Sequence, residues 1–420
     1  MHRASWIAIV VASAAAQLTH AAEHVVRPGE SIAAAIQTAR PGDTVRVEQG
    51  RYAEHLLIDK RLSLIGVDRP RLSGGGRGNV IRVKAADVLI EGFIIHDSGA
   101  DLTAQEAGIH VEPGADRIVV RNNHLVYNLF GVWLYKVKDF QIIGNLIAGK
   151  RDLDSAQRGN GIQLHDTSGA QVIDNHISFV RDGIYVDVSH NAVFRGNRIH
   201  HVRYGTHYMN SYDNLWEGNE SYLNRGGLAL MQVRNLVVRQ NKAWGNTDHG
   251  VMLRTIQDSV IEENVVAGNG RGFFIYDAEY NVLRDNVVVG NRVGVHLWAG
   301  SINNVVERND FVHNRQQVRY IASRDEQWGT QYGNYWSNYA GWDKDGDGVG
   351  DIGYEANDIV DYLTWRHPLV KLLLGSPAVH ALKVIATQFP LLRAPSVVDP
   401  HPRMRPFMNE WSAWLDEQRH

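Results

Sequence analysis

Three methionines stand at positions 209, 231 and 252, and His207 lies two residues before the first of them. Thioether and imidazole are ligands that suit Cu(I). The chain has no cysteine, so any soft-metal site must draw on Met and His rather than on thiolate. One such methionine alone would read as adaptable packing material; three with a histidine in common register point to copper. The two remaining methionines after the initiator, Met404 and Met408, stand with His401 in the stretch His401-Pro-Arg-Met404-Arg-Pro-Phe-Met408, a second soft-ligand candidate. A hard-ligand candidate is separate. Asp343, Asp345 and Asp347 occupy positions 1, 3 and 5 of a calcium-loop pattern, with Gly348 at position 6 and Asp351 at position 9. Position 12 is Tyr354, and Glu355 comes one residue late, so an acidic Gly-rich turn is the competing reading.

The soft cluster exists only if residues some 22 apart become neighbours, and the chain carries a repeat that would do this. Gly108, Gly131, Gly161, Gly183, Gly205, Gly227, Gly250, Gly272 and Gly294 each open one phrase: Gly, an alternating apolar run, a polar turn, an apolar pair, then Asn. The matching asparagines are Asn123, Asn145, Asn175, Asn197, Asn219, Asn241, Asn264, Asn286 and Asn309. Steps are 22 or 23 residues, apart from one of 30. A short fixed period marks a solenoid, and the alternation in Gly183-Ile-Tyr-Val-Asp-Val marks strand rather than helix. The expected fold is all-β, a right-handed parallel β-helix, with the asparagine amides stacked in an internal ladder. The long step places an insertion at 146–160.

Alternate side chains of a strand face opposite ways. Positions one and three after each Gly are apolar in most coils and fill the interior (Ile184 and Val186, Val251 and Leu253). Positions two and four then face outward, and they include His207, Met209, Met231 and Met252, with His165 and Asp187 on earlier coils. The same face carries Trp133, Tyr135, Tyr185, Tyr276 and Trp298. A face rich in rings, His and Met is unlike a solvated sheet surface, and aromatic residues are enriched at the cores of interfaces. These five are therefore expected to bind partners.

Around this array, residues 1–22 have the pattern of a secretory signal: His2 and Arg3, an apolar run from Trp6 to Leu18, then Thr19-His20-Ala21-Ala22 as a cleavage site. Export to the periplasm with cleavage near Ala22 is expected. Loss of Arg3 would take the net charge from −3 to −4, which disfavours a nucleic-acid partner. The β-helix is expected over 23–322, opened by a helix from Ile32 to Ala39 that Ser31 can cap and that stops before Pro41. Residues 323–365 form a loop region with the Asp-rich motif. The stretch 366–420 reads as a helical and extended tail, packed on the last coil or reaching a partner.

The coil array followed by Gly333-Asn-Tyr-Trp336, Gly341-Trp-Asp-Lys-Asp-Gly-Asp-Gly-Val-Gly-Asp351, Asn357 to Asp361 with His367-Pro368, and Ser376-Pro377-Ala378-Val379 resembles the NosD family across nearly the whole mature chain. The resemblance implies a periplasmic copper-handling protein, not an enzyme. It would work with a membrane ABC transporter and a copper chaperone, and help assemble the copper–sulfur centre of nitrous-oxide reductase. It supplies no ligand set; the His/Met cluster rests on register alone. The rival reading is a polysaccharide hydrolase, lyase or epimerase, since rings on a β-helix groove can stack on sugars. Hydrolysis needs two carboxyls about 5 to 9.5 Å apart, whereas Glu112 and Asp187 are three coils, about 14 Å, apart. Asp182 with Asp187 keeps that rival open. A structural, adhesin-like solenoid would leave the His/Met register unexplained.

Overall fold

The computed structural model describes residues 21–298, 300–321, 324–356, 363, 367–373, 376–388 and 396–408. Apart from its last two residues, the signal-like segment lies outside them, as do all of 409–420 and 357–366 except residue 363, which includes the Asn357 to Asp361 motif. The chain winds as a right-handed parallel β-helix. Three parallel sheets of 13, 12 and 13 strands run along it, and each coil contributes one short strand to each sheet. Neighbouring coils stay in strict register, as where Ile184 lies against Thr206 and Val186 against Tyr208. Apolar side chains of all three sheets meet in one continuous core.

The repeat phrase has a local physical cause at each end. A Cβ on Gly183 would sit 2.5 Å from the carbonyl oxygen of Gly205 and 2.3 Å from Ile199, so the chain turns there only without a side chain. At the other end the asparagines form the expected ladder. The backbone and side-chain amides of Asn197 both donate to Oδ1 of Asn219 (3.0 and 2.9 Å), and Asn219 repeats the pattern on Asn241 (2.9 and 3.0 Å). Each Asn also donates to a carbonyl one coil back, Asn219 to Phe194 at 2.9 Å. The ladder begins where Phe93 N–H donates to Asn123. It ends where Asn334 donates to the buried carboxylate of Asp399. A second ladder at another corner (Asn224, Asn246, Asn269, Asn291, Asn314) was not foreseen, although its spacing is equally regular.

The first coil is covered by the helix Ile32–Thr38, whose Ile32 and Ile36 are buried. Ser31 Oγ accepts from Ala34 N–H at 3.1 Å, and Glu54 of the next coil takes the N–H groups of Ile32 and Ala33. Lys60 satisfies the last carbonyls, including Ile36 and Ala39. At the far end Phe311, Trp336 and Tyr354 stack at 4.3 Å intervals. The strand Val397–Asp399 joins a small sheet with Glu326–Gln327 and Tyr354–Glu355 there. Residues 396–408 thus lie along the last coils, and the helix Pro377–Gln388 precedes them. The insertion starts later than the spacing suggested: Leu146–Gly149 is a paired strand, and the projection begins at Lys150. Among the described residues no helix is long and apolar enough to cross a membrane.

Candidate functional site

The outer face of the 12-stranded sheet holds the predicted soft ligands on three successive strands, Tyr204–Met209, Gly226–Arg234 and His249–Gln257. In register, Met209 lies beside Met231 and then Arg254; His207 lies beside Ala229 and then Met252. Their neighbours along each strand (Tyr208, Leu228, Leu230, Val251, Leu253) point into the core. The middle strand contributes only Ala229 and Gly226 at the positions flanked by His207, Tyr204, Met252 and His249. The result is a depression walled by larger groups. Ala229 faces outward yet has no exposed surface, and Met252 is only 9% exposed, so the surrounding side chains close over this point. Met209 and Met231 are half-buried at its rim.

His207 is oriented from behind. Its Nδ1 lies 3.0 Å from Oδ2 of Asp182, which is 1% exposed. Arg203 grips the same carboxylate through Nε (2.8 Å) and Nη2 (2.5 Å). Burial alone would raise the Asp182 pKa, but the bonds from His207 and Arg203 outweigh it and hold the carboxyl below its ordinary range. An ionised carboxylate only accepts, so it anchors the Nδ1 edge of the ring from behind. A carboxylate behind an imidazole is the arrangement that fixes tautomer and basicity in metal-ligating histidines.

Asp182 reaches His207 because the Gly turn breaks strict alternation, so that the residue before each Gly also faces outward. Tyr204 packs edge-on to His207 at 5.6 Å and Arg271 lies 4.3 Å over the Phe274 ring for the same reason. This third outward column was not foreseen, and it adds His249. Its ring lies over Gly226, where a Cβ would come within 2.6 Å of Cε1 and Nε2. His249 is 1% exposed, and neither ring nitrogen has a hydrogen-bond partner; the Asp248 carboxylate is 3.6 Å away. A buried polar group left unpaired costs about 1–3 kcal/mol, and in a native protein it calls for an explanation such as an ion. The sequence signal was a histidine immediately before a repeat Gly.

The expected docking rings lie on the same sheet face but are partly spent on one another. Trp133 stacks with His110 at 6.4 Å and meets Phe130 edge-on at 5.0 Å. Tyr135 stacks on His165 at 5.4 Å, and Tyr185 meets His207 edge-on at 4.8 Å. Tyr276 and Trp298, 5.8 Å apart, are the most exposed of the five. His165 itself pairs with Asp187 at 3.1 Å rather than joining the methionines.

The other two candidates lie elsewhere. Met408 packs against Ala267, Val287, Val289 and Val312 on another sheet, while His401 is exposed; Met404 donates its N–H to the Gly348 carbonyl. Carboxylate oxygens of Asp343, Asp345 and Asp347 lie within 4.8 Å of one another. They also accept from the loop's own backbone: Asp343 takes Gly346 and Gly348, and Asp351 takes Lys344.

The family model described as periplasmic copper-binding protein (NosD) matches residues 143–341. A probable ABC transporter binding protein NosD of Stutzerimonas stutzeri is 38% identical over 376 residues, covering 86% of each chain. Its namesake in Pseudomonas aeruginosa is 39% identical over 371 residues, covering 85% of this chain and 87% of its own. Among solved structures, PfbA, a surface adhesin of Streptococcus pneumoniae, is similar with a TM-score of 0.51 at 11% identity, over 69% of this chain and 87% of that one. That likeness concerns the fold alone.

Proposed function

The chain belongs to the NosD family, and from that premise we propose that it is a non-enzymatic periplasmic scaffold that receives Cu(I) and passes it on. Copper is cargo here, held in the depression over Ala229 by His207, Met209, Met231 and Met252. The observation that carries the reading is the register: outward-facing Ala229, which has no exposed surface, lies between His207 and Met252, and Met209 and Met231 stand side by side in the next outward column. Soft neutral ligands favour Cu(I). A site open on one side releases its ion by ligand exchange with an incoming partner, where a closed cage would hold it. The partners in this reading are a membrane ABC transporter, a copper chaperone that loads the site, and apo nitrous-oxide reductase, whose copper–sulfur centre is assembled. Tyr276 and Trp298, with Trp133, Tyr135 and Tyr185, offer them ring surface.

A sugar-processing role has weaker support. Asp182 is taken up by Arg203 and His207, and Asp187 by His165 and Asn210. Competition of the mature chain against a chromophoric Cu(I) chelator tests the proposal. Wild type is expected to bind one equivalent, and a variant carrying Met209→Leu, Met231→Leu and Met252→Leu to lose it while keeping its circular dichroism. Equal binding by both removes the site; cleavage or epimerisation of an acidic polysaccharide by the wild type removes the non-enzymatic reading.

A further inference from the structure

The insertion that begins at Lys150 does more than lengthen a turn. It is pinned to the body: Lys150 donates to the Ser98 carbonyl at 2.9 Å, Tyr127 donates to Asp152 at 2.8 Å, and Leu153 packs on the cluster of Ala107, Leu129 and Phe130. Arg158 donates to the carbonyls of Leu153 and Arg151, which fixes its own stem against the projection. Between this projection and the coils lies a cleft of about 470 Å³, lined by Ser155, Arg158, Arg181, His201, Arg203 and Arg225, among others.

Three of those arginines are one column of the solenoid. Arg181, Arg203 and Arg225 each stand two residues before a repeat Gly, and backbone bonds link their coils: Arg203 N–H to Arg181 O (2.7 Å) and Gly226 N–H to Arg203 O (2.9 Å). At one coil per step they are about 4.8 Å apart. The column ends at Asp248, whose carboxylate is taken by Arg271. Within the column only Arg203 has a carboxylate, that of Asp182; among the described residues, Arg158, Arg181 and Arg225 form no ion pair. Like charges stacked at this spacing repel one another, and the cleft gathers four guanidinium groups against one acid.

We infer that this cleft is a docking site for an acidic, extended segment of a partner polypeptide, bound through its carboxylates. The guanidinium fork matches a carboxylate with two bonds. A row spanning about 10 Å over three coils is longer than one small anion reaches, whereas same-side carboxylates of an extended chain recur about every 6.6–7 Å. The site adjoins the copper depression through a shared residue, since Arg203 Nη2 lies 3.1 Å from His207 Nδ1. A segment seated there would bring its owner to the copper ligand; that consequence rests on the copper reading, while the docking itself does not.

The test uses the metal-free mature chain and a fluorescein-labelled hexaglutamate peptide, read by fluorescence anisotropy. Wild type is expected to bind, more weakly as salt rises. Arg181→Gln with Arg225→Gln, which leaves the Arg203–Asp182 pair in place, is expected to weaken binding at least about tenfold. Arg284→Gln with Arg308→Gln, the same change in net charge far from the cleft, should leave it unaltered. Three results overturn the inference: no binding by wild type, equal loss in the control pair, or full displacement of the peptide by inorganic phosphate at equal concentration, which would make the cleft a small-anion site. Because no copper is present, failure here is separable from failure of the copper reading.

Discussion

Two columns of the same solenoid follow one period and differ in every other respect. The interior asparagine ladder repeats one residue in each coil, and every amide in it finds a partner on the next coil. The outward columns around Ala229 change residue at each step, and they include a buried histidine whose ring nitrogens have no hydrogen-bond partner, Nδ1 lying 3.6 Å from the Asp248 carboxylate. Uniform, saturated columns are what stacking requires. A column that departs from uniformity, and leaves polar groups unpaired at a cost to stability, is where recognition is to be sought.

The contrast can be broken first at the ladder. Asn219→Ala strips partners from both Asn197 amide donors and from the Phe194 carbonyl, all buried. We expect a loss of about 4 kcal/mol in denaturant unfolding, from several unsatisfied groups at once. A loss below about 1 kcal/mol would mean the ladder is ornamental.

Asp310 lies between the two extremes, buried but accepting the N–H groups of Phe407 and Met408 at 2.9 Å each. Burial pushes its pKa up to about 6, those two bonds offsetting only part of the effect. The folded chain therefore holds this proton more tightly than the unfolded chain does. Stability is fully present below the ordinary value of 3.8 and falls as pH rises through about 6. Asp43, held at about 2 chiefly by its bond to His24, acts oppositely and at lower pH: its contribution is present above 3.8 and lost as pH falls through about 2. Between about pH 4 and 7 the histidines His200 and His296, both held at about 4 chiefly by burial, add stability as pH rises, so the Asp310 contribution is read as a difference. Asp310→Asn should make the unfolding free energy climb more steeply with pH than in wild type; parallel profiles would place the Asp310 proton outside the folding equilibrium.

His249→Phe sharpens the contrast from the other side. Removing two buried nitrogens that have no hydrogen-bond partner should hold stability within about 1 kcal/mol of wild type, the lost contact of Nδ1 with Asp248 working against the gain; a loss of about 3 kcal/mol or more would mean that the histidine is firmly paired. Smallest of all is Met209→Leu with Met231→Leu, near-isosteric and half-buried, expected within about 1 kcal/mol of wild type.

The face was legible in the sequence through its register. Once Gly183, Gly205, Gly227 and Gly250 set the period, Met209, Met231, Met252 and His207 had to share one sheet face, and they do. The Gly turn hid the remainder. Strict alternation sends Asp182 and His249 inward, but the bend at the following Gly turns them out, so the support behind His207 and the second histidine were missed. Likewise the step of 30 residues gave the existence of an insertion but not its start, because Leu146–Gly149 has the same apolar pattern as any other strand. How the projection closes on the arginine column depends on contacts such as Lys150 with Ser98, 52 residues apart, which no local pattern encodes.

The most direct measurement of the central claim is X-ray absorption on the chain loaded with one equivalent of Cu(I). At least two sulfur scatterers together with imidazole nitrogen are expected, and the sulfur shell should vanish in the triple Met→Leu variant. A shell of nitrogen and oxygen alone, or sulfur that persists in the variant, would contradict a thioether site built by vertical register.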